Sequence, residues 1–322
     1  MRVPTAGMMS GMPFFGYHMP SFTFAGSARE DLFDQVVRLA RSAEAAGFEL
    51  LTVMDHFYQI TGVGKEEEPM LEAYTTLGAL ARETSTVRLA TLVTGVTYRN
   101  PALVAKMVTT IDILSKGRAV CGMGAAWNES EHVGYGFDFP PIRERMDRLE
   151  EALQIIKLMF TEERPSFAGT HYRIDRALNV PRPIQPGGPQ ILVGGGGEKR
   201  TLRLVARYAD MSHWFGGLED IRRKRQILDR YCEEEGRDPA SITRTMGSPV
   251  VLVENEGQVK SVMERMPPER RLMFKAATPE QAAEILQDYI EAGIEGFTFG
   301  NPTLRTPDEF ERVTRLIKAV KG

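Results

Sequence analysis

Short apolar runs alternate with amphipathic segments of helix length along most of the chain. Each run has the length of a strand, and the repeated strand-helix order predicts a parallel sheet that is buried on both faces. We expect eight strands, at residues 14–18, 50–54, 88–94, 118–123, 190–193, 211–214, 244–251 and 296–299. In a chain of 322 residues this pattern predicts an α/β fold, a (β/α)₈ TIM barrel that occupies residues 1–322 as a single domain.

Local capping patterns support three of the helices. Asn100 precedes a proline, which is typical of a helix start, and Gly117 suits the left-handed residue that ends a helix. Thr278 and Thr306 each precede a Gln or Glu by three residues, which is the spacing of a capping box. We therefore expect helices to begin just after Asn100, Thr278 and Thr306.

Three connections are longer than those between most elements of a barrel, at about residues 128–142, 164–189 and 254–277. The second contains alternating apolar residues around Gly169, a pattern that predicts a small hairpin. Long insertions in a barrel tend to build the substrate pocket. We expect the same of these three, although they do not reveal the substrate.

The balance of charge excludes several classes of partner. The chain has 40 Lys and Arg against 43 Asp and Glu, a formal net charge of −3, so it lacks the basic field that nucleic acid or an anionic membrane requires. No apolar stretch approaches the ~20 residues of a membrane span. Its His and Cys residues show no metal-binding spacing, and we assign no metal site. We expect a cytoplasmic protein with a small-molecule substrate.

Asp55 and His56 close the second predicted strand. In a barrel of this kind the active face is built from the carboxyl ends of the strands and the loops that follow them. Histidine exchanges protons near neutral pH, and a neighbouring carboxylate can orient or charge it. A structural histidine held by hydrogen bonds explains the pair equally well, and position alone does not separate the two interpretations.

The third and fourth predicted strands end in residues that leave room for a ligand. Leu92, Val93 and Thr94 lead into a glycine, and Gly124 precedes Asn128. Small residues permit the close approach of a planar ligand, and the Asn amide both donates and accepts hydrogen bonds. A core strand and a tight turn explain the same residues without any ligand.

A run of four glycines follows the fifth predicted strand, and the next helix is expected to begin near Glu198. Consecutive glycines at a helix N-terminus expose backbone N–H groups that bind phosphate well, and Lys199 and Arg200 add positive charge. The pattern is neither a Walker loop nor the dinucleotide fingerprint, so it does not specify a nucleotide. The residues of this segment are Val193, Gly194, Gly195, Gly196 and Gly197.

Five segments together resemble the luciferase-like oxidoreductase superfamily, and specifically its branch that uses the deazaflavin coenzyme F420. They are VMDHF, LATLVTGVTYRNPALVAK, LSKGRAVCGMGAAWNESEH, YGFDFPPIRERMDRLEEAL and ILVGGGGEKRTLRLVARYAD, and the resemblance as a whole extends over nearly the whole chain. The resemblance implies a TIM barrel with insertions, in which the deazaflavin ring lies across the strand ends and its phosphate lies on the glycine loop. It also implies a homodimer.

The same resemblance implies roles for individual residues. His56 is the expected catalytic residue, close to the reacting face, and a non-proline cis peptide is expected at Leu92–Val93. Met54 and Ala126 replace smaller residues that are common in relatives, so we expect them to reshape the pocket near the ring. The residues expected to contact the coenzyme are Asp55, Leu92, Val93, Thr94, Gly124, Asn128, Val193, Gly194, Gly195, Gly196 and Gly197.

The expected function is hydride exchange between F420 and an unidentified small organic substrate, such as an alcohol, an aldehyde or an activated double bond. The nearest alternative is a two-component monooxygenase that uses reduced FMN and O₂, because the same barrel and phosphate loop serve both cofactors. A carrier that binds coenzyme without turnover is a third interpretation. Neither the substrate nor the direction of hydride transfer follows from the sequence.

Overall fold

The computed structural model describes residues 12–266, 268–271, 273–300 and 304–322. Its strands are β1 (Phe14–Met19), β2 (Leu50–Val53), β3 (Arg88–Thr91), β4 (Thr94–Gly95), β5 (Ala119–Gly124), β6 (Phe167–Ala168), β7 (Arg173–Ile174), β8 (Gln190–Gly194), β9 (Met211–Trp214), β10 (Thr243–Gly247), β11 (Val250–Leu252), β12 (Lys275–Ala277) and β13 (Gly296–Gly300). Its α-helices are α1 (Leu32–Ala45), α2 (Ala73–Glu83), α3 (Pro101–Ser115), α4 (Glu129–Tyr135), α5 (Ile142–Thr161), α6 (Thr201–Tyr208), α7 (Leu218–Glu234), α8 (Glu256–Arg265), α9 (Pro268–Arg271), α10 (Pro279–Glu291) and α11 (Pro307–Lys321).

Eight parallel strands close into a barrel. Their order around it is β1, β2, β3, β5, β8, β9, β10 and β13, and β13 pairs with β1 to complete the ring. Helices connect successive strands, so the predicted (β/α)₈ TIM barrel is confirmed. Because every strand runs the same way, all the carboxyl ends lie at one mouth of the barrel.

The strands are buried on both faces, as their nearly continuous apolar composition predicts. One set of side chains fills the barrel interior, and its members are Phe14, Leu50, Ala90, Val120, Leu192 and Met211, all buried. Their neighbours along the strands point outward and pack against the helices; Leu51 and Val53 of β2 are examples. The interior is therefore a packed core below the mouth.

Two predicted strands are each divided in the structure. The strand predicted at 88–94 ends at Thr91 and resumes as β4 beyond a cis peptide at Leu92–Val93. The strand predicted at 244–251 is also wrong as one element. β10 leaves the barrel at Gly247, and β11 pairs with β12 in a separate two-stranded sheet. Pro249 stands between them and has no N–H to donate to a ladder.

The capping patterns are confirmed. The Asn100 side chain accepts a hydrogen bond from the backbone N–H of Ala102, and both Thr278 and Thr306 form complete capping boxes. α3 ends one residue earlier than Gly117 suggests, because Lys116 already adopts the left-handed conformation at φ 61°. These details are local in sequence, which is why a sequence pattern is able to predict them.

The three long connections contain structure of their own. The first includes α4, and the second forms the predicted hairpin, in which β6 and β7 pair antiparallel around Gly169. The described part of the third contains α8, α9 and β12. None of the helices in the described ranges combines the length and apolar character that a bilayer span needs.

Candidate functional site

The predicted site residues lie at the barrel mouth, at the ends of neighbouring strands. Asp55 and His56 follow β2, Val93 lies between β3 and β4, Gly124 ends β5 and Gly194 ends β8. The pairings β2–β3, β3–β5 and β5–β8 make these strands consecutive in the barrel. Four segments that are far apart in sequence therefore meet on one half of the mouth.

His56 is held by a carboxylate from another element. Its Nδ1 atom lies 2.7 Å from Oε2 of Glu131 on α4, and its side chain is 13% exposed. The exposed Trp127 packs edge-on against the imidazole, with 5.6 Å between ring centroids. The sequence suggested Asp55 as the neighbouring carboxylate. That expectation is wrong, because Glu131 occupies this position.

Glu131 is fully buried and accepts four hydrogen bonds. Its donors are Nδ1 of His56, the hydroxyl of Tyr98 and the backbone N–H groups of Phe57 and Tyr58. Burial by itself would raise the pKa of the Glu131 carboxyl, but the interactions with His56 and the two backbone N–H groups hold this pKa below its usual value. Sequence reasoning missed this residue because it lies 75 positions from His56.

Asp55 is also buried, but it faces a different partner. Arg99 donates from Nη1 to its carboxylate at 2.7 Å, and the other guanidinium nitrogen, Nη2, lies 2.6 Å from Glu72. The guanidinium stacks over the Tyr74 ring at 4.9 Å. Burial opposes the charge on Arg99, yet Asp55 raises the pKa of the guanidinium above its usual value. The ion pair between Asp55 and Arg99 connects the loop after β2 to the turn before α3. Contact between Asp55 and the coenzyme stays a prediction.

Leu92–Val93 is a non-proline cis peptide, as the resemblance implied. The Val93 side chain lies between the ends of β5 and β8. A Cβ atom at Gly124 would lie 2.6 Å from Val93 Cγ2, and one at Gly194 would lie 2.8 Å from Val93 Cγ1. Both glycines are therefore needed to admit Val93. Leu92 and Val93 are half-buried and cover the interior core from above.

Leu92 and Val93 form an apolar ledge at the mouth. The next residue, Thr94, is buried, and its hydroxyl contacts hold this segment in place. Its hydroxyl lies 2.7 Å from the Tyr74 hydroxyl and 2.8 Å from the Thr91 hydroxyl. Both partners belong to elements that carry the site, α2 and β3. Because its hydroxyl is occupied on both sides, the described structure gives Thr94 a supporting place, and direct coenzyme contact by its side chain stays a prediction.

The turn after β5 has an unusual backbone. Ala126 adopts φ 61°, a left-handed conformation that favours glycine, which is the residue the resemblance expects there. For an alanine this costs about 1 kcal/mol. Its carbonyl accepts a hydrogen bond from Nη1 of the buried Arg145 at 3.2 Å. The turn leads directly to Trp127 and Asn128, so it determines where these two residues lie at the mouth.

A contact at its backbone carbonyl holds Asn128 in place. His132, buried on α4, lies with Nδ1 2.7 Å from the Asn128 carbonyl and with Nε2 2.6 Å from the Thr97 hydroxyl. The Asn128 side-chain oxygen accepts a hydrogen bond from the Ser130 hydroxyl. The imidazole therefore connects the turn after β5 to the turn after β4, and the half-buried Asn128 amide lies at the rim.

The glycine loop begins where β8 ends. Gly195 adopts φ 120° and donates its N–H to the His213 carbonyl. The N–H groups of Gly196, Gly197 and Glu198 have no acceptor within the described ranges, as an anion site requires. The expected helix start near Glu198 is wrong by three residues, because a turn precedes α6 at Thr201.

One cation beside this loop was not among those that the sequence suggested. Lys224 of α7 donates to the Phe215 carbonyl at 2.7 Å, and its Nζ lies 3.0 Å from where a Cβ atom of Gly196 would be. Lys199 is exposed, and Arg200 is paired with Asp147 at 2.7 Å. Lys224 is 28 positions beyond Gly196, so only the fold places it there.

Two further histidines line the interior just below the mouth. His18 Nδ1 lies 2.8 Å from the Thr52 hydroxyl, and His213 Nδ1 lies 2.9 Å from the Thr245 hydroxyl. Burial lowers the pKa of His18 to about 4 and that of His213 to about 3. Both side chains are therefore neutral at physiological pH. Nε2 of the buried His213 has no hydrogen-bond partner within the described residues.

Comparison with known proteins agrees with this architecture. The family model for luciferase-like monooxygenases matches residues 12–293. An F420-dependent glucose-6-phosphate dehydrogenase of Kineococcus radiotolerans is 28% identical over 313 residues, covering 87% of this chain and 90% of that protein. An uncharacterized protein of Mycobacterium tuberculosis is 33% identical over 184 residues, which are 53% of this chain and 64% of that relative, so the match spans less than two thirds of its length.

Solved structures share the fold at low identity. An F420-dependent secondary alcohol dehydrogenase in complex with an F420-acetone adduct superposes with a TM-score of 0.78 at 20% identity, covering 97% of this chain and 100% of that one. A type II Baeyer-Villiger monooxygenase from Pseudomonas putida, in complex with FMN, gives 0.75 at 17% identity, covering 96% and 98%. With the match over residues 12–293, the chain belongs to the luciferase-like monooxygenase family.

Proposed function

We propose that this protein is an F420-dependent oxidoreductase that exchanges a hydride between the coenzyme and a small organic substrate. The observation that carries the proposal is the joint position of His56 and the glycine loop at one half of the barrel mouth. Proton transfer and anion binding are thereby available at one site. The relative from Kineococcus radiotolerans, an F420-dependent dehydrogenase similar over 90% of its length, supports the choice of coenzyme.

The described residues suit a phosphate-bearing planar coenzyme. Among the described residues, the backbone N–H groups of Gly196, Gly197 and Glu198 have no acceptor, and the Lys224 ammonium lies beside Gly196. Val93 offers an apolar ledge for a ring. When bound, F420 supplies a hydride donor or acceptor. His56 gives or takes the proton that accompanies the hydride at the substrate oxygen, and the ring of Trp127 packs against the imidazole.

A direct test is to titrate the protein with F420 and with FMN in parallel and to follow cofactor fluorescence. We expect saturable binding of F420 and much weaker binding of FMN. The reverse result, tight binding of FMN alone, would instead favour the reduced-FMN monooxygenase, whose fold is shared by the FMN complex described above. Binding of F420 without turnover on alcohols, aldehydes and activated double bonds would favour a carrier.

The glycine loop makes a second prediction. Lys224→Ala removes the ammonium beside Gly196 and is expected to weaken F420 binding by about tenfold, since a hydrogen bond between charged groups is lost. Lys199→Ala is the matched control, because it removes the same charge from an exposed residue of the adjoining turn. Titration of both variants measures the difference. Equal losses in the two variants would contradict a specific role for Lys224.

A cytoplasmic location and a homodimer stay predictions for this protein.

A further inference from the structure

The two oxygens of Glu131 have different partners. Oε1 accepts hydrogen bonds from the backbone N–H groups of Phe57 and Tyr58. Oε2 accepts a hydrogen bond from the Tyr98 hydroxyl at 3.0 Å and lies 2.7 Å from Nδ1 of His56. An ionised carboxylate has no hydrogen to donate, so the short contact requires a hydrogen on Nδ1. In the neutral imidazole the lone pair is then on Nε2.

We propose that Glu131 is a positioning residue that fixes His56 in the Nδ1–H tautomer, so that Nε2 is the atom that accepts a proton from a substrate hydroxyl. The reaction itself rests on the proposed function; the tautomer does not. In alcohol oxidation the O–H bond breaks and its proton goes to Nε2. The hydride leaves the carbinol carbon for the bound acceptor, and a carbonyl product forms. The imidazolium is stabilised by the anion next to Nδ1.

Other groups near His56 do not replace Glu131 in this role. Asp55 precedes His56 in the chain, but its carboxylate is engaged by Arg99. Tyr98 donates to Glu131, and burial together with the Glu131 charge raises the pKa of its phenol, so it stays a donor. Glu131 is therefore the carboxylate that determines where the imidazole proton lies.

The first measurement needs neither coenzyme nor substrate. The ¹⁵N chemical shifts of histidine rings distinguish the two neutral tautomers, and the His56 signals are those lost in His56→Gln. We expect the Nδ1–H tautomer for neutral His56 in the unmodified protein. Observation of the Nε2–H tautomer would overturn the inference even if F420 turnover is found, and its failure is thus separable from failure of the proposed function.

Glu131→Gln tests the inference by reversing the tautomer with almost no change in shape. The N–H groups of Phe57 and Tyr58 still need an acceptor, so they hold the amide oxygen at the Oε1 position. The amide NH₂ then faces Nδ1 of His56 and donates to it, which moves the imidazole proton to Nε2. We expect kcat to fall by about 10²- to 10⁴-fold while F420 affinity changes by less than about threefold.

Two variants serve as controls. Glu129→Gln makes the same change at an exposed position of α4 and should leave both the tautomer and kcat unaltered. Tyr98→Phe removes a donor from Oε2 but keeps the carboxylate, so the Nδ1–H tautomer should persist. A Glu131→Gln protein that retains the Nδ1–H tautomer, or full kcat, would overturn the positioning role.

Discussion

Replacing His56 by alanine is expected to lower turnover by about 10²-fold or more and to leave F420 affinity within about threefold. The imidazole lies at the mouth with Nδ1 held by Glu131, so its loss removes the proton donor and acceptor. It leaves the glycine loop and the Val93 ledge in place, because these belong to β8 and to the segment between β3 and β4. The His56→Ala variant should therefore lose turnover while it keeps its affinity for F420.

Steady-state kinetics and F420 titration measure the two effects, with a thermal melt to verify folding. His171→Ala is a matched control, because His171 lies in the turn between β6 and β7 and has no contact with His56 or Glu131 among the described interactions. Its kcat should match that of the unmodified protein. If His56→Ala retained full turnover, His56 would have no part in proton transfer.

Lowering the pH from 7.5 to 4.5 is expected to destabilise the fold through two histidines of the barrel interior. His18 and His213 have pKa values of about 4 and about 3 in the folded protein, because burial disfavours their charged forms. In the unfolded chain both titrate near 6.5. The unfolded state therefore binds more protons as the pH falls below 6.5, and the stability that is fully present above 6.5 is progressively lost toward pH 4 and 3.

Between pH 7.5 and 4.5 the free energy of unfolding should fall by roughly 5 kcal/mol, taking both histidines together at about 1.4 kcal/mol per pH unit each. Urea unfolding at a series of pH values measures this decline. In His213→Asn about half of the pH dependence should disappear, whatever the stability of that variant at pH 7.5. His171→Asn, at a partly exposed residue, should keep the full decline. A flat profile in the unmodified protein would contradict the neutral burial of both rings.

The fold was predictable to the extent that its information is local. Alternating apolar runs identified the eight barrel strands. The Asn100-Pro101 pair identified the start of α3, and a Thr with a Gln or Glu three residues later identified the starts of α10 and α11. The prediction of one strand over residues 244–251 was wrong although the sequence contains a local break, Gly247-Ser248-Pro249, within it. β10 and β11 lie on either side of this break, and they pair with different partners.

The site was predictable in its strand-end segments and not in the groups that support them. His56 and the glycine loop stand next to strands, so their place at the mouth follows from the fold class. Glu131 and Lys224 reach the same mouth from α4 and α7, and only tertiary structure brings them there. The cis peptide at Leu92–Val93 was expected from the resemblance alone, because the residue types themselves do not encode it.

The contact of Val93 with Gly124 and Gly194 has a consequence for redesign of the pocket. A methyl group at either glycine would overlap a γ-methyl of Val93, so these three positions form one steric unit. An enlarged residue at 124 or 194 therefore requires a smaller one at 93. Libraries that diversify the pocket should vary the three positions jointly, since an enlargement at 124 or 194 alone would clash with Val93.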